Sequence, residues 1–272
     1  MSTARACRWS STLLIALALT WAPRLAAATS CAPVPAGLVG WWRLDGNPGD
    51  VTGQHPGAVT GGSFVPGEVS QGLACPNPGE GVEVPDDPAL SPPQFTIDLW
   101  ARIDDLPEVN PSLIWKGSAS GANVSSPYGL GVYGTSGGPP GTAGLPVLTV
   151  GYFPSGSQAV VGNVTIPIGT FFHLAATADG TTLSLYLDGQ LVGSQPQQGV
   201  PVDLDHPLQI GAVTVPGAIN PGPNVIDEVE LHDRAATAAE IQAIYVAGAE
   251  GKCLATPAKS STWGSLKILY AK

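Results

Sequence analysis

Three carboxylates near the C-terminal end of the chain are the residues best placed to do chemistry. Asp227, Glu228 and Glu230 lie in the segment V-I-D-E-V-E, which has the β-branched and apolar character of a strand. Paired carboxylates can serve a glycosidase as nucleophile and acid/base, and they can also bind hard cations such as calcium. Strict alternation along a strand would direct Asp227 and Glu230 to opposite faces, which argues against a catalytic pair.

A serine motif and the histidines offer no better catalytic arrangement. Residues 134–138 read G-T-S-G-G and match G-x-S-x-G, but that motif needs a strand before it and a helix after it. Here Pro139 and Pro140 follow, so a buried helix cannot start. The four histidines are scattered and show no metal-ligand spacing. We therefore predict that the protein is not an enzyme and has no catalytic residues.

The elements that must position these residues are short strands separated by turns. From Gly37 onward, apolar runs alternate with turns rich in glycine and proline, which is typical of an all-β sandwich. Residues 95–103 alternate over nine positions, and Asp179-Gly180 marks a hairpin. One short helix is predicted near the end, because Thr237 and Glu240 form a capping-box pattern and Gly248 can end the helix.

The ends of the chain differ from the rest in composition. Residues 1–28 have a basic start, an apolar run and a small-residue cleavage site, so we predict a signal peptide and a secreted or cell-surface protein. Residues 29–37 are expected to be a linker, 38–254 a single domain and 255–272 a tail. We predict no membrane span in the mature chain.

The charge of the protein limits its partners. The net charge is −10 over 272 residues, and removal of the signal peptide, with its three arginines, would bring it near −13. An acidic chain with so few basic residues argues against nucleic acid and anionic membranes as partners. The same surface suits divalent cations.

Six blocks, in order, resemble one known family, and the last of them includes the carboxylates described first. They are L-V-G-W-W-R-L-D-G-N (38–47), G-E-V-S-Q-G-L (67–73), F-T-I-D-L-W (95–100), F-F-H-L-A-A-T-A-D-G-T-T-L-S-L-Y-L-D-G-Q-L-V (171–192), P-L-Q-I-G (207–211) and V-I-D-E-V-E-L-H-D-R-A-A-T-A-A-E-I-Q-A-I-Y (225–245). Together they resemble the LamG-like jellyroll, a concanavalin A-like lectin/glucanase domain. The resemblance implies an all-β, two-sheet antiparallel jellyroll sandwich, with one concave sheet and one short C-terminal helix.

The resemblance includes enzymes, so the carboxylates need a second test. Laminarinase-type glycanases of this fold carry E-x-D-x-(x)-E on a strand, with the two outer glutamates doing the chemistry. In this chain the position of the first glutamate is Val225. A retaining pair cannot be assembled, although a degenerate glycanase stays open as an alternative.

The resemblance also implies a structural calcium ion. Asp227 occupies a position that in related jellyrolls supplies a carboxylate to calcium, and we add Asp45 and Asp50 from the turn D-G-N-P-G-D as further ligands. The alternative is that Asp45 and Asp50 are ordinary turn residues and that Asp227 binds backbone amides.

The mature chain keeps three cysteines. In the related architecture the terminal strands lie side by side, which implies a disulfide between Cys31 and Cys253 and leaves Cys75 as a buried thiol. The alternative is that Cys75 is bridged to one terminal cysteine.

Aromatic side chains are the candidates for sugar binding. Trp100 shares a strand face with Asp98 and Arg102, and Tyr133 lies near a strand end; we predict that these four residues bind the ligand. Three further aromatic candidates are Trp115, Tyr128 and Tyr152. The alternative for each is that it fills the core.

These expectations combine into one functional hypothesis. We predict a secreted, non-catalytic binding module that recognises extracellular carbohydrate, assisted by bound Ca²⁺. The alternatives are a domain for adhesion or surface assembly that binds a cell-surface protein, and a degenerate glycanase.

Overall fold

The computed structural model describes residues 31–118, 125–152, 156–202, 205–211, 213–215 and 218–253. The expected signal peptide (1–28) and tail (255–272) lie outside these ranges.

Among the described residues the chain forms seventeen strands and one α-helix. The strands are β1 (Leu38–Trp42), β2 (Ala58–Thr60), β3 (Ser63–Pro66), β4 (Gln71–Ala74), β5 (Gly81–Val84), β6 (Phe95–Arg102), β7 (Ser112–Ser118), β8 (Ser125–Val132), β9 (Pro146–Tyr152), β10 (Gly156–Val161), β11 (Phe171–Ala178), β12 (Thr182–Leu187), β13 (Gln190–Pro196), β14 (Leu208–Gly211), β15 (Val213–Val215), β16 (Ala218–Asn220) and β17 (Val225–His232). The helix is α1 (Ala238–Ala247), and short 3₁₀ turns occur at Pro88–Leu90 and Gly248–Glu250.

The strands form two large antiparallel sheets and a small two-stranded one. The eight-stranded sheet has the order β13-β12-β11-β6-β17-β4-β3, and β1 also pairs with β17. The seven-stranded sheet has the order β10-β9-β8-β7-β14-β5-β2, and β15 pairs with β16. The predicted all-β, two-sheet antiparallel jellyroll sandwich with one short C-terminal helix is confirmed.

The main core lies between the two large sheets. The alternation predicted for residues 95–103 holds, since Phe95, Ile97, Leu99 and Ala101 of β6 are fully buried in this core. They share it with Ile114, Leu130 and Leu148 from the opposite sheet. Alternation then fixes the second face of each sheet, which points away from the core.

Helix α1 covers part of the outer face of the eight-stranded sheet. The Thr237 hydroxyl caps its first turn, and the Glu240 carboxylate accepts a hydrogen bond from the Thr237 amide, which completes the predicted capping box. Gly248 ends the helix with a positive φ of 49°. Ile241 packs with Ala175 and Tyr186 of the sheet below.

The two ends of the described chain are joined. Cys31 and Cys253 form the predicted disulfide, and Cys75 keeps its buried thiol. Ala32 pairs with Lys252 in a parallel bridge and is buried. The described part of the expected linker therefore packs against the domain.

Candidate functional site

The three carboxylates of β17 lie on one face of the sheet, contrary to the expectation from strict alternation. The register of β17 against β6 shifts between Asp227 and Glu230, and Glu228 takes a positive φ of 53°. This bulge adds one residue between the two acids. Val229 points into the main core, whereas Asp227, Glu228 and Glu230 point away from it.

Lys252 lies within 4 Å of two of these acids and of Asp98. The Lys252 Nζ lies 2.9 Å from Asp98 Oδ1, 3.7 Å from Glu230 Oε1 and 3.8 Å from Glu228 Oε2. All four side chains are buried, so this ion cluster is largely inaccessible to water. Burial alone would raise the pKa of Asp98, but the Lys252 ammonium and His173 outweigh it and hold that pKa well below its usual range.

Aromatic side chains pack around the ion cluster. Trp41 donates from Nε1 to Glu228 over 3.0 Å and lies beneath the Lys252 ammonium. Trp100 packs on His173 and stacks on Tyr245 of α1, with ring centroids 5.1 and 6.0 Å apart.

This packing removes two of the predicted sugar-binding residues from the surface. Asp98 is fully buried, bonded to His173 over 2.6 Å, and Trp100 is only 5% exposed. Arg102 stays half-buried and binds Asp104 beside the Phe171 ring. Because α1 and Lys252 cover this face, Trp100 offers no ring surface for a sugar.

Asp227 has a different environment from its neighbours. Its Oδ2 accepts a 2.8 Å hydrogen bond from the Val69 amide, while its Oδ1 is buried without a hydrogen-bond partner. Burial, and then repulsion from Glu228 and Asp45, raises the pKa of Asp227 to about 8. A cation would stabilise a buried carboxylate that has one oxygen without a partner and lies near like charges.

The other two predicted calcium ligands differ in what they already bind. Asp45 accepts from the Gln71 amide over 3.0 Å and pairs with Arg43 at 2.5 Å, but its charge still acts on Asp227. Asp50 is an anchor for its own loop, because its two oxygens accept from the Thr52 hydroxyl and from the amides of Trp41, Thr52, Gln54 and His55. The charge of Asp45 therefore contributes to the raised pKa of Asp227, whereas both oxygens of Asp50 are engaged by its own loop.

The residues at hand suit calcium only with help from the backbone. Within the described ranges, no group of three or more His, Cys, Asp or Glu side chains is arranged to hold a metal ion. A cation at Asp227 would take most of its oxygen ligands from backbone carbonyls and water, which calcium accepts readily.

An open groove lies on the outer face of the seven-stranded sheet. Trp115 of β7 pairs with Gly129 of β8, which in turn pairs with Thr149 of β9. A Cβ atom at Gly129 would lie 2.2 Å from the Trp115 ring, so glycine is what allows the indole to lie over β8. Gly131, two residues on, also lines the groove, and a Cβ atom there would lie 2.7 Å from the Pro111 carbonyl oxygen.

The groove combines one aromatic surface with several polar groups. It encloses about 430 Å³, part of it open to solvent, and Tyr133 lies along its wall. The described lining is Asn110, Pro111, Ser112, Trp115, Gly129, Leu130, Gly131, Val132, Tyr133, Val147, Thr149 and Asn220. Asn110 holds the adjoining loop through Gly134 and Gly137, while the hydroxyl of Ser112 is buried without a partner.

Of the four predicted ligand-binding residues, only Tyr133 lines this groove. Trp115, a further aromatic candidate, lines it too, whereas Ser112, Thr149 and the two glycines were not anticipated. The signal that could have found them is the run Y-G-L-G-V-Y at 128–133, where glycines at alternate positions leave one face of a strand without side chains.

The family model described as the concanavalin A-like lectin/glucanases superfamily matches residues 77–242, more than half of the chain. The chain belongs to this superfamily. The match covers the groove and most of the ion cluster. Comparison with curated proteins found no match.

Solved structures share the fold of this superfamily member. Domain 4 of AbnA, a GH43 extracellular arabinanase from Geobacillus stearothermophilus, in complex with arabinotriose, is 21% identical with a TM-score of 0.58, covering 75% of this chain and 96% of that one. Trypanosoma rangeli sialidase, in complex with 2,3-difluorosialic acid, is 20% identical with a TM-score of 0.60, covering 80% of this chain but only 34% of the sialidase. The binding domain of botulinum neurotoxin DC, in complex with SialylT, is 11% identical with a TM-score of 0.54, covering 77% and 50%.

Helices in the described part of the chain are too short to cross a membrane.

Proposed function

We propose that this domain is a secreted, non-catalytic module that binds extracellular carbohydrate in the groove on the outer face of the seven-stranded sheet. The observation that carries the proposal is Trp115, whose ring is laid over Gly129 with polar groups around it. The C–H bonds on the flat face of a sugar ring are attracted to the electron-rich face of an indole. Hydroxyl and amide groups nearby then fix orientation, as in most small-ligand sites.

The comparisons support this proposal at the level of class. Domain 4 of the arabinanase, which shares this fold over 96% of its length, has been solved with arabinotriose. The Cys31–Cys253 disulfide suits an oxidising compartment outside the cell. The adhesion alternative has less to support it, since exposed large apolar side chains in the described ranges are spread over separate loops and strands.

The carboxylates of β17 favour a binding role over a catalytic one. Glu228 and Glu230 neutralise a buried lysine and have no open path to a substrate. We also propose that Asp227 binds calcium, with Asp45 as a second side-chain ligand. The cation would stabilise the fold at the place where β17 exchanges its neighbour β4 for β1.

Isothermal titration of the mature protein with a panel of oligosaccharides tests the sugar-binding proposal. We expect at least one sugar to bind, and Trp115→Ala to weaken it more than tenfold. Phe171→Ala is the matched control, because it removes a half-buried aromatic ring from the other sheet, and its affinity should equal that of the wild type. Unchanged affinity in Trp115→Ala would contradict the assignment of the groove.

Product analysis during the same titrations tests the non-catalytic part. Chromatography of each sugar after prolonged incubation should show only the starting material. Release of shorter sugars would favour the glycanase alternative.

Thermal unfolding with and without calcium tests the metal site. A ligand that binds only the native state must stabilise it, so calcium added after chelation should raise the melting temperature of the wild type. Asp227→Ala should lose this response, while Asp104→Ala, which removes an exposed carboxylate elsewhere, should keep it. A wild type that does not respond would overturn the calcium proposal.

A further inference from the structure

The groove is uncharged although the protein is strongly acidic. Its described lining contains no lysine, arginine, histidine or carboxylate, and Tyr133 is its one ionisable group. The chain as a whole carries a net charge of −10. Glu83 lies exposed on the same sheet face, in the cross-strand row that leads through Gln209 to Trp115.

Ser112 supplies a second observation that points to a ligand. The residue is only 7% exposed, it lines the groove, and its Oγ has no hydrogen-bond partner. Its position opposite Gly131 places the side chain on the outer face, where Gly131 contributes none. A buried hydroxyl without a partner is destabilising, and a hydrogen-bonding ligand in the groove would satisfy it.

We propose that the groove selects neutral oligosaccharides and rejects glycans that carry a carboxylate, such as sialic acid. One sugar ring stacks on Trp115, and a sugar hydroxyl exchanges a hydrogen bond with Ser112 Oγ. This inference rests on the proposed function and adds the chemical class of the ligand.

Two physical effects exclude an acidic sugar. A carboxylate that enters the groove loses water and finds no cation among the described lining residues, so its desolvation is not offset. The acidic protein surface, including Glu83, also repels anions before they arrive. A serine hydroxyl, by contrast, both donates and accepts, which matches the dual character of a sugar hydroxyl.

Isothermal titration with matched pairs of sugars tests this selectivity. Lactose is compared with 3′-sialyllactose, and the neutral arabinotriose and cellotetraose are compared with trigalacturonate. We expect a neutral sugar to bind, each acidic sugar to bind at least tenfold more weakly, and the affinity for the neutral sugar to change little between low and high salt.

The outcomes separate the two proposals. If an acidic sugar binds as well as its neutral counterpart, or better, the selectivity is overturned while the carbohydrate-binding function stands. If no sugar binds, the function is overturned and the selectivity with it.

Ser112→Ala tests the hydrogen bond directly. Loss of one neutral hydrogen bond should weaken binding roughly three- to tenfold. Ser91→Ala is the matched control, because its hydroxyl is also buried without a partner but lies outside the groove lining. Both variants should retain the circular dichroism spectrum of the wild type. Wild-type affinity in Ser112→Ala would overturn the role assigned to Ser112.

Discussion

At the scale of single residues, neighbouring carboxylates in β17 have opposite electrostatic situations. Glu230, together with Asp98 of the neighbouring strand β6, lies close to Lys252. Asp227, on the other side of the β-bulge, has one oxygen without a hydrogen-bond partner and a pKa raised to about 8. The sequence shows three acids in four positions and cannot show which of them meets a cation. That depends on Lys252, which reaches the cluster through the disulfide-bonded C-terminal segment.

Asp227 should make the metal-free protein less stable as pH rises. Its pKa is raised from 3.8 to about 8 in the folded state, so the native protein binds more protons than the unfolded chain between these values. The free energy of unfolding therefore falls as pH rises through this window. Urea denaturation in chelator from pH 5 to pH 8.5 should show the wild type losing stability relative to Asp227→Asn. Parallel pH profiles would rule out this role for Asp227.

Removing the Lys252 charge should be strongly destabilising. Lys252→Met removes the one cation that contacts all three buried carboxylates, which we expect to cost about 3–5 kcal/mol. Asp98 has a lowered pKa in the wild type, so the stability that it gains from Lys252 is present at neutral pH and lost as pH falls through acid values. The part of the gap between wild type and variant that is due to Asp98 should therefore persist down to about pH 4 and narrow only as pH falls below that value.

Lys252→Arg is the matched control for this prediction. It keeps the positive charge, so it should lose less stability than Lys252→Met. If Lys252→Met lowers the free energy of unfolding by less than about 1 kcal/mol, the ion cluster does not contribute substantially to stability.

At the scale of elements, the sequence predicts the ends of helix α1, but it does not predict that α1 covers one face of the eight-stranded sheet. Both ends of α1 are predicted by Thr237, Glu240 and Gly248, because helix capping depends on residues only a few positions apart in the sequence. Trp100 was correctly placed on the outer face of β6, but its exposure depends on α1, which lies far along the chain and folds back over it. The bulge at Glu228 was also unpredictable, since neither its residue type nor the pattern around it requires a positive φ.

The capping box of α1 makes an element-scale prediction. Thr237→Ala removes the acceptor for the Glu240 amide and should lower the free energy of unfolding by about 1 kcal/mol. Thr237→Ser keeps the hydroxyl and should stay within a few tenths of the wild type. Urea denaturation of both variants provides the measurement, and equal stability of the alanine and serine variants would contradict the cap.

At the scale of the whole molecule, the disulfide and the ion cluster act at the same place. Cys253 follows Lys252 directly, and the bridge to Cys31 closes a separation of 222 residues. Family resemblance predicted this pairing, because it depends on where the terminal strands meet. The groove as a whole was not predicted, since its members come from four strands and the adjoining loops, which only the assembled sheet brings together.

Replacing both bridge cysteines should destabilise the molecule by at most about 5 kcal/mol. In the double variant Cys31→Ser, Cys253→Ser the C-terminal segment is free to detach, so a further Lys252→Met change should cost less than it does in the bridged protein. Urea denaturation of the four proteins in this cycle measures the coupling. Full additivity would show that the bridge and the lysine act independently.

The most direct test of the account is to locate sugar binding on the molecule. Nuclear magnetic resonance of the indole N–H groups, with Trp115 assigned from a Trp115→Phe variant, should be followed during titration with the tightest neutral oligosaccharide. We predict that the Trp115 signal shifts to saturation while the signals of the buried Trp41, Trp42 and Trp100 do not shift. A shift at Trp100 without one at Trp115, or no shift for any neutral sugar, would contradict it.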